Sequence, residues 1–144
     1  MRLQPNTLLV VAGPTASGKT ALAIELAKAV GGEIVSADSM QIYRGMDIAT
    51  AKPTLEELAA VPHHLIGFLP IDRSFSVADY AELARKTIDD ILRRGKVPVL
   101  CGGTGLYIKA IVDNVQYGED IPGNEALRES LRQLAEREGN EALW

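Results

Sequence analysis

A short apolar run, followed at once by a glycine-rich turn and a helix-forming segment, constrains the fold of this chain more than any other feature. Residues 8–12 include the β-branched Val10 and Val11, and such a run is typical of a strand buried on both faces of a parallel sheet. Residues 13–20 then match the pattern G-x-x-x-x-G-K-[ST] at every fixed position. From Lys19 onward, alanine and leucine predict a helix that two consecutive glycines end.

Further segments extend this pattern into an α/β fold. Residues 33–37 predict a second strand that ends at Asp38, which completes a strand–helix–strand unit with a right-handed crossover. Residues 96–101 predict another apolar strand, and a helix begins near Leu106. The predicted fold is therefore a P-loop NTPase-like parallel sheet with flanking helices. Three more helices are predicted: residues 54–60 with a capping box of Thr54 and Glu57, a helix after Ser76 with Asp79 as capping partner, and a carboxyl-terminal helix capped by Asn124.

The composition limits the class of protein. The 144 residues are 47% hydrophobic and 24% charged, which is typical of a folded chain and excludes a disordered or disulfide-stabilised one. The single cysteine, Cys101, cannot form an internal disulfide, which indicates a reducing compartment. No apolar run approaches the ~18 residues that a membrane helix needs, so we expect no membrane contact. The net charge of −4 provides no overall basic surface for a nucleic acid.

The loop at residues 13–20 has the chemistry of a phosphate-binding site. Gly13 and Gly18 allow the backbone to turn its N–H groups towards an anion, and the following helix adds positive charge at its amino end. Lys19 is predicted to contact the outer phosphate, and the Thr20 hydroxyl to join the coordination shell of a Mg²⁺ ion. The alternative is a glycine-rich turn without a ligand. The motif predicts a diphosphate or triphosphate ligand and leaves the reaction open.

Two polar residues follow the predicted strands at the edge where the phosphate loop lies. Asp38 ends the second strand, and ligands of open α/β sheets lie at the carboxyl ends of the strands. Its carboxylate is a candidate general base or acceptor-orienting group, and capping the N–H groups of Ser39 or Met40 is an equal alternative. Thr104 lies among three glycines after a later strand, a sequence that fits either a close approach to a ligand or a tight turn into a helix.

Five segments match one protein family in order and spacing. They are G-P-T-A-S-G-K-T (13–20), D-S-M-Q-I-Y-R-G-M-D-I-A-T-A-K-P (38–53), P-H-H-L-I (62–66), F-S-V-A-D-Y (75–80) and G-G-T-G-L-Y (102–107). They resemble the tRNA dimethylallyltransferase (tRNA isopentenyltransferase) family, and the second segment is far more specific than the phosphate loop. The resemblance implies an enzyme that transfers a dimethylallyl group from dimethylallyl diphosphate to N6 of adenine 37, next to the tRNA anticodon.

The resemblance also implies roles for individual residues. Asp38 would be the general base that takes a proton from the adenine amine, and Thr104 would hold the reacting centre. Thr20 would be the protein ligand of Mg²⁺. The residues in contact with tRNA would be Asp38, Ser39, Met40, Gln41 and Thr104. The residues that bind the diphosphate would be Gly13, Thr15, Ala16, Ser17, Gly18, Lys19 and Thr20.

Members of this family are much longer than this chain. We therefore expect a truncated protein, in which residues 1–113 form an incomplete α/β core and residues 114–144 begin the helical insertion that surrounds tRNA. The expected partners are tRNA and dimethylallyl diphosphate, and the expected state is a cytoplasmic monomer. The basic surface that this chain lacks is expected in the remaining half.

Other functions stay open at this point. The loop and Asp38 also fit a P-loop kinase that acts on a small molecule, and a related prenyltransferase would accept free AMP. An inactive diphosphate-binding fragment is the third alternative. His63 and His64 are adjacent and are the only histidines in the chain, so we expect them in a substrate-side loop rather than a metal site.

Overall fold

A parallel sheet positions the phosphate loop and the residues that follow the other strands. A computed structural model describes residues 3–45, 52–117, 125–139 and 141. Its strands within these ranges are β1 (Leu9–Ala12), β2 (Glu33–Ser36), β3 (His63–His64) and β4 (Pro98–Gly102). They lie in the order β1-β4-β2-β3, and each adjacent pair is parallel.

The helices of the described ranges agree closely with the predicted ones. The first helix begins at Lys19 as expected, and it ends because Gly31 adopts a left-handed conformation with φ of 63°. None of the described helices is long and apolar enough to cross a membrane. The helices are α1 (Lys19–Val30), α2 (Leu55–Ala60), α3 (Val77–Arg93), α4 (Gly105–Val112) and α5 (Glu125–Glu138).

Two helices begin at capping boxes, as the sequence predicts. The Thr54 hydroxyl accepts a hydrogen bond from the Glu57 N–H at 3.2 Å, and the Glu57 carboxylate accepts one from the Thr54 N–H at 2.7 Å. Ser76 and Asp79 form the same reciprocal pair at the start of α3. Each pair satisfies amide groups that a helix start leaves without an intrahelical partner. The predicted cap Asn124 lies outside the described residues.

Apolar side chains cover both faces of the sheet. Every residue of β2 and β4 is buried, because α1 packs on one face and α3 and α4 pack on the other. This arrangement confirms the predicted α/β fold class. The main core residues are Val11, Ala23, Ile24, Ala27, Ile34 and Val99 on the α1 side, and Val35, Tyr80, Ala84, Ile88, Ile91 and Leu100 on the other side.

The strand order separates the two strands that the sequence places in one unit. β4 lies between β1 and β2 and pairs with both, so the connection through α1 passes over one strand position. The carboxyl ends of β1, β4 and β2 therefore meet side by side. The described side chains of α5 are mostly exposed, and the division into residues 1–113 and 114–144 stays a prediction.

The prediction that His63 and His64 belong to a substrate-side loop is wrong. They form β3, which pairs with Ile34 and Val35 of β2. Nε2 of His64 lies 2.8 Å from a carboxylate oxygen of Glu33, at the amino end of β2 and away from the phosphate loop. A strand of two residues is too short to show an alternating pattern in the sequence, which is why it was not predicted.

Candidate active site

The phosphate loop approaches α1 with its amide groups uncapped. Gly18 precedes the helix with φ of 79°, and no side chain caps the helix start. Ala16 also has a positive φ, 62°, which L-residues adopt at some cost. At Gly13 a Cβ would lie 3.0 Å from Oγ of Ser17, a tight contact with the end of a side chain. Uncapped amides at a helix start provide hydrogen-bond donors for an anion.

Lys19 lies folded over the phosphate loop. Its Nζ donates a hydrogen bond to the carbonyl oxygen of Pro14 at 2.9 Å. The end of β4 comes close on the other side, since a Cβ at Gly103 would lie 3.8 Å from Nζ of Lys19 and 3.2 Å from the carbonyl oxygen of Gly13. The ammonium group is therefore held between the loop and β4. Thr20 follows, partly buried, in the first turn of α1.

A cleft of about 450 Å³ joins the phosphate loop to the ends of β2 and β4. Asp38 and Thr104 line the same cleft as Thr15, as the shared sheet edge predicts. Gln41 is not among the lining residues. Among the described residues, the lining consists of Pro14, Thr15, Asp38, Ser39, Met40, Gly103 and Thr104.

Asp38 takes the capping role that the sequence left open, and it also lines the cleft. One carboxylate oxygen, Oδ1, accepts hydrogen bonds from the N–H groups of Met40 at 2.9 Å and Gln41 at 3.3 Å. The carboxylate thus caps the turn that follows β2, while the residue lines the cleft. The geometry fits a base whose orientation is fixed by its own backbone, with Oδ2 not engaged in this cap.

Thr104 links the turn after β2 to the end of β4. Its hydroxyl accepts a hydrogen bond from the Ser39 N–H at 2.9 Å and donates one to Oγ of Ser39 at 3.2 Å. Its own N–H donates to the carbonyl oxygen of Ala37 at 3.1 Å. Close approach of the two strands requires Gly102, because a Cβ there would collide with the Ala37 carbonyl group. Two residues that are 65 apart in sequence therefore form one wall of the cleft.

A buried pair of stacked tyrosines contacts the end of β2. The rings of Tyr80 and Tyr107 stack with centroids 3.8 Å apart, and the Tyr80 hydroxyl donates to the carbonyl oxygen of Ser36 at 2.9 Å. Burial raises the pKa of both phenols, so both hydroxyls stay protonated at neutral pH. The bond from Tyr80 to β2 was not predicted from the sequence, because it joins residues that are 44 positions apart.

The described residues offer few protein ligands for a metal ion. They contain no group of three or more His, Cys, Asp or Glu side chains that could hold one. Cys101 is buried in the α1 side of the core, where burial raises the pKa of its thiol. The Thr20 hydroxyl is the candidate ligand that the phosphate loop supplies, and Mg²⁺ commonly takes few protein ligands and completes its shell with phosphate oxygens and water.

The sequence of this chain is similar to those of known proteins. The family model described as IPP transferase matches residues 41–144. The chain belongs to the IPP transferase family. It is 55% identical over 141 residues to a tRNA dimethylallyltransferase of an Exiguobacterium species, and 54% identical over 138 residues to one of Acetivibrio thermocellus. These matches cover 98% and 96% of this chain but 45% and 44% of those proteins, so the chain spans less than half their length.

Solved structures of relatives have the same fold. The full-length tRNA isopentenylpyrophosphate transferase of Bacillus halodurans matches with a TM-score of 0.77 and 48% identity, over 96% of this chain and 45% of that one. A eukaryotic dimethylallyltransferase, described as acting on tRNA, matches with a TM-score of 0.74 and 28% identity over 94% of this chain and 36% of that one. The predicted family and the predicted fold are therefore both confirmed for this chain.

Proposed function

We propose that this chain provides the donor site and the general base of a tRNA dimethylallyltransferase, which transfers a dimethylallyl group from dimethylallyl diphosphate to N6 of adenine 37. The observation that carries the proposal is the single cleft in which Asp38 and Thr104 face Thr15 of the phosphate loop. A phosphate loop alone fits many reactions, whereas a carboxylate beside it provides for an acceptor as well.

The phosphate loop holds the diphosphate of the donor. The start of α1 has no side-chain cap, and the ammonium of Lys19 is bonded to Pro14, which lines the cleft. On binding, Nζ of Lys19 exchanges its bond to the Pro14 carbonyl for a diphosphate oxygen. These groups stabilise the negative charge that grows on the diphosphate as it departs, and a fixed array of donors does so without reorganisation.

A Mg²⁺ ion fits the donor set at Thr20. A single hydroxyl ligand next to a diphosphate matches the preference of Mg²⁺ for phosphate oxygens and water over an all-protein cage. When bound, the ion would supply further charge stabilisation to the diphosphate. Thr20 would hold it at the first turn of α1.

Asp38 prepares the acceptor for attack. The exocyclic amine of adenine is a poor nucleophile, because its lone pair is delocalised into the ring. N6 forms a bond to C1 of the dimethylallyl group while the bond from C1 to the diphosphate oxygen breaks and its electron pair leaves with the diphosphate. One proton of N6 passes to the Asp38 carboxylate, and general-base catalysis of this kind contributes about 10²–10⁴-fold. Thr104 keeps the wall around the reacting centre in place through Ser39.

The acceptor is proposed to be an unpaired adenine of a tRNA anticodon loop. Bases in such loops can leave their stack and enter a pocket, which the cleft requires of its acceptor. Ser39 and Met40 line the cleft and would contact the flipped nucleotide. The contact of Gln41 with tRNA stays a prediction. Because the net charge of this chain is −4, most contacts with the tRNA phosphates would come from the part of the longer relatives that this chain does not span. A monomeric state and a cytoplasmic location stay predictions.

Calorimetry with dimethylallyl diphosphate tests the donor site. We expect Lys19→Ala to weaken donor binding about tenfold or more, because a charged hydrogen bond is lost. Lys28→Ala removes the same charge from an exposed lysine of α1 that pairs with Glu25, so we expect it to change binding less than about twofold. Equal effects of the two substitutions would contradict the role of the loop.

Transfer assays then distinguish the reactions. We expect label from dimethylallyl diphosphate to appear on an anticodon stem-loop, and Asp38→Asn to reduce transfer about 10²-fold or more without weakening donor binding. Label on free AMP would indicate an AMP-accepting transferase. Transfer of the γ-phosphate of ATP would indicate a kinase, and donor binding without transfer would indicate a diphosphate-binding fragment. Unchanged transfer in Asp38→Asn would refute the assignment of the base.

A further inference from the structure

Ser36 is a buried polar residue at the last position of β2, at the opposite end of the strand from the buried, ion-paired Glu33. Its side chain is 2% exposed, and its neighbours in β2 are Ile34 and Val35. An alanine or valine at this position would satisfy the core without the cost of burying a hydroxyl group. Residues that depart from the local pattern in this way are concentrated at functional sites. Ser36 lies two residues before Asp38.

A chain of hydrogen bonds leads from Ser36 to the carboxylate of Asp38. The Ser36 hydroxyl donates to Oε1 of Gln41 at 3.3 Å, and the N–H of Gln41 donates to Oδ1 of Asp38 at 3.3 Å. The carbonyl oxygen of Gln41 accepts from the Gly67 N–H at 2.8 Å. The contact between the two side chains depends on the Ser36 hydroxyl, while the other two use the backbone of Gln41.

These hydrogen bonds engage one carboxylate oxygen of Asp38, Oδ1, and do not involve Oδ2. Oδ1 is turned towards the backbone of Met40 and Gln41, so rotation of the carboxylate is restricted. The cleft is lined by Asp38 but not by Ser36 or Gln41. We infer that Ser36 is a positioning residue, which acts through Gln41 to keep Oδ1 of Asp38 on the turn and Oδ2 on the acceptor. This role rests on the proposed function, since it matters to the reaction only if Asp38 is the base.

The main-chain and side-chain contacts of Ser36 can be separated experimentally. The Tyr80 hydroxyl donates its hydrogen bond to the carbonyl oxygen of Ser36, whereas the Ser36 hydroxyl donates to Gln41. Tyr80→Phe therefore removes a neighbouring hydrogen bond and leaves the Ser36–Gln41 bond in place. It serves as the control for a general loss of stability at the end of β2.

The test measures amide hydrogen exchange and amide chemical shifts of the chain by NMR. We expect Ser36→Ala to speed exchange at the Gln41 amide by about fivefold, which corresponds to the loss of one net hydrogen bond. Ser36→Cys keeps the volume but has a weaker donor, so its effect should be intermediate. Exchange at the Thr104 amide, which bonds to Ala37 across the strands, should change less than about twofold. Asp38→Ala provides the Gln41 amide shift without the carboxylate, and Ser36→Ala should move the shift towards it.

Amide exchange at Gln41 and Thr104 distinguishes positioning by Ser36 from a general loss of stability. Positioning by Ser36 is supported if exchange at the Gln41 amide rises more than exchange at the Thr104 amide. The rate at Gln41 should increase from the original chain to Ser36→Cys to Ser36→Ala, and Tyr80→Phe should show no such rise. Unchanged exchange and shift at Gln41, or an equal rise at both amides, would overturn it. Affinity for inorganic pyrophosphate should stay within about twofold of the original in Ser36→Ala, because the phosphate loop does not contact Ser36. A failure of the proposed function appears separately, as unchanged transfer in Asp38→Asn.

Discussion

The adjacent glycines Gly102 and Gly103 allow the stability of the sheet to be tested apart from the binding of diphosphate. A Cβ at Gly102 would collide with the carbonyl group of Ala37 and would lie 2.8 Å from its Cα, all of them backbone atoms of the segment after β2. A Cβ at Gly103 would meet the Gly13 carbonyl oxygen at 3.2 Å and Nζ of Lys19 at 3.8 Å. The same added methyl group therefore perturbs the fold at one position and the site at the next.

The expected magnitudes follow from which atoms must move. Overpacking by one methyl group costs about 1–3 kcal/mol, and Gly102→Ala should lie at the upper end because two strands must separate. A cost of about 3 kcal/mol corresponds to a fall in Tm of about 10 °C for a chain of this length. Gly103→Ala requires a shift of a few tenths of an ångström, so its cost should stay below about 1 kcal/mol. Restriction of Lys19 should weaken pyrophosphate binding about fivefold in Gly103→Ala, as expected for about 1 kcal/mol.

Thermal unfolding and pyrophosphate calorimetry on the two variants provide the measurement. We expect a large fall in Tm only for Gly102→Ala, and weaker binding with nearly unchanged Tm for Gly103→Ala. The reasoning is refuted if Gly102→Ala melts within about 3 °C of the original chain, which is the shift expected for about 1 kcal/mol. A larger loss of stability in Gly103→Ala than in Gly102→Ala would refute it as well.

Two further predictions concern stability. The hydrogen bonds from Arg94 above all, with help from His64, lower the pKa of Glu33 from 4.5 to about 2. The resulting stabilisation is present above about pH 4.5 and is lost as the pH falls towards 2. In urea unfolding, Glu33→Gln should therefore lower the free energy of unfolding by about 1–3 kcal/mol at pH 7 and by much less at pH 2. An equal loss at both pH values would contradict this prediction. Ala16→Gly should raise the Tm by about 3 °C by relieving the positive φ of 62°, and a lower Tm would contradict this expectation.

Features that depend on neighbours in sequence could be predicted without the structure. The capping boxes at Thr54 and Ser76 and the helix end at Gly31 occur where the sequence places them. The same holds for Asp38 at the end of β2, where the parallel topology brings it to the phosphate loop. In the capping boxes and at the helix end the interacting groups lie within about one helical turn, so the pattern alone specifies the geometry. For Asp38 the general rule that the carboxyl ends of parallel strands share one edge was sufficient.

The dihedral angles of the phosphate loop and the contacts between strands could not be predicted in this way. In the phosphate loop, Gly18 and Ala16 have positive φ angles, whereas Gly13 does not. The path of the loop, and not its glycine content, determines which residues adopt the left-handed conformation. His63 and His64 entered the sheet as β3 because of their pairing with β2, a long-range contact with no trace in local periodicity.

The sequence by itself determined that this chain has a strand, a phosphate loop and a helix in that order, with a carboxylate after the next strand. Only the tertiary structure decided that β4 lies between β1 and β2, which brings Thr104 against Ser39 and closes the cleft. The physical reason is that strand order depends on pairing between segments that are distant in sequence. Short apolar runs such as 8–12 and 96–101 show that they are strands, but they do not show which strand lies next to which.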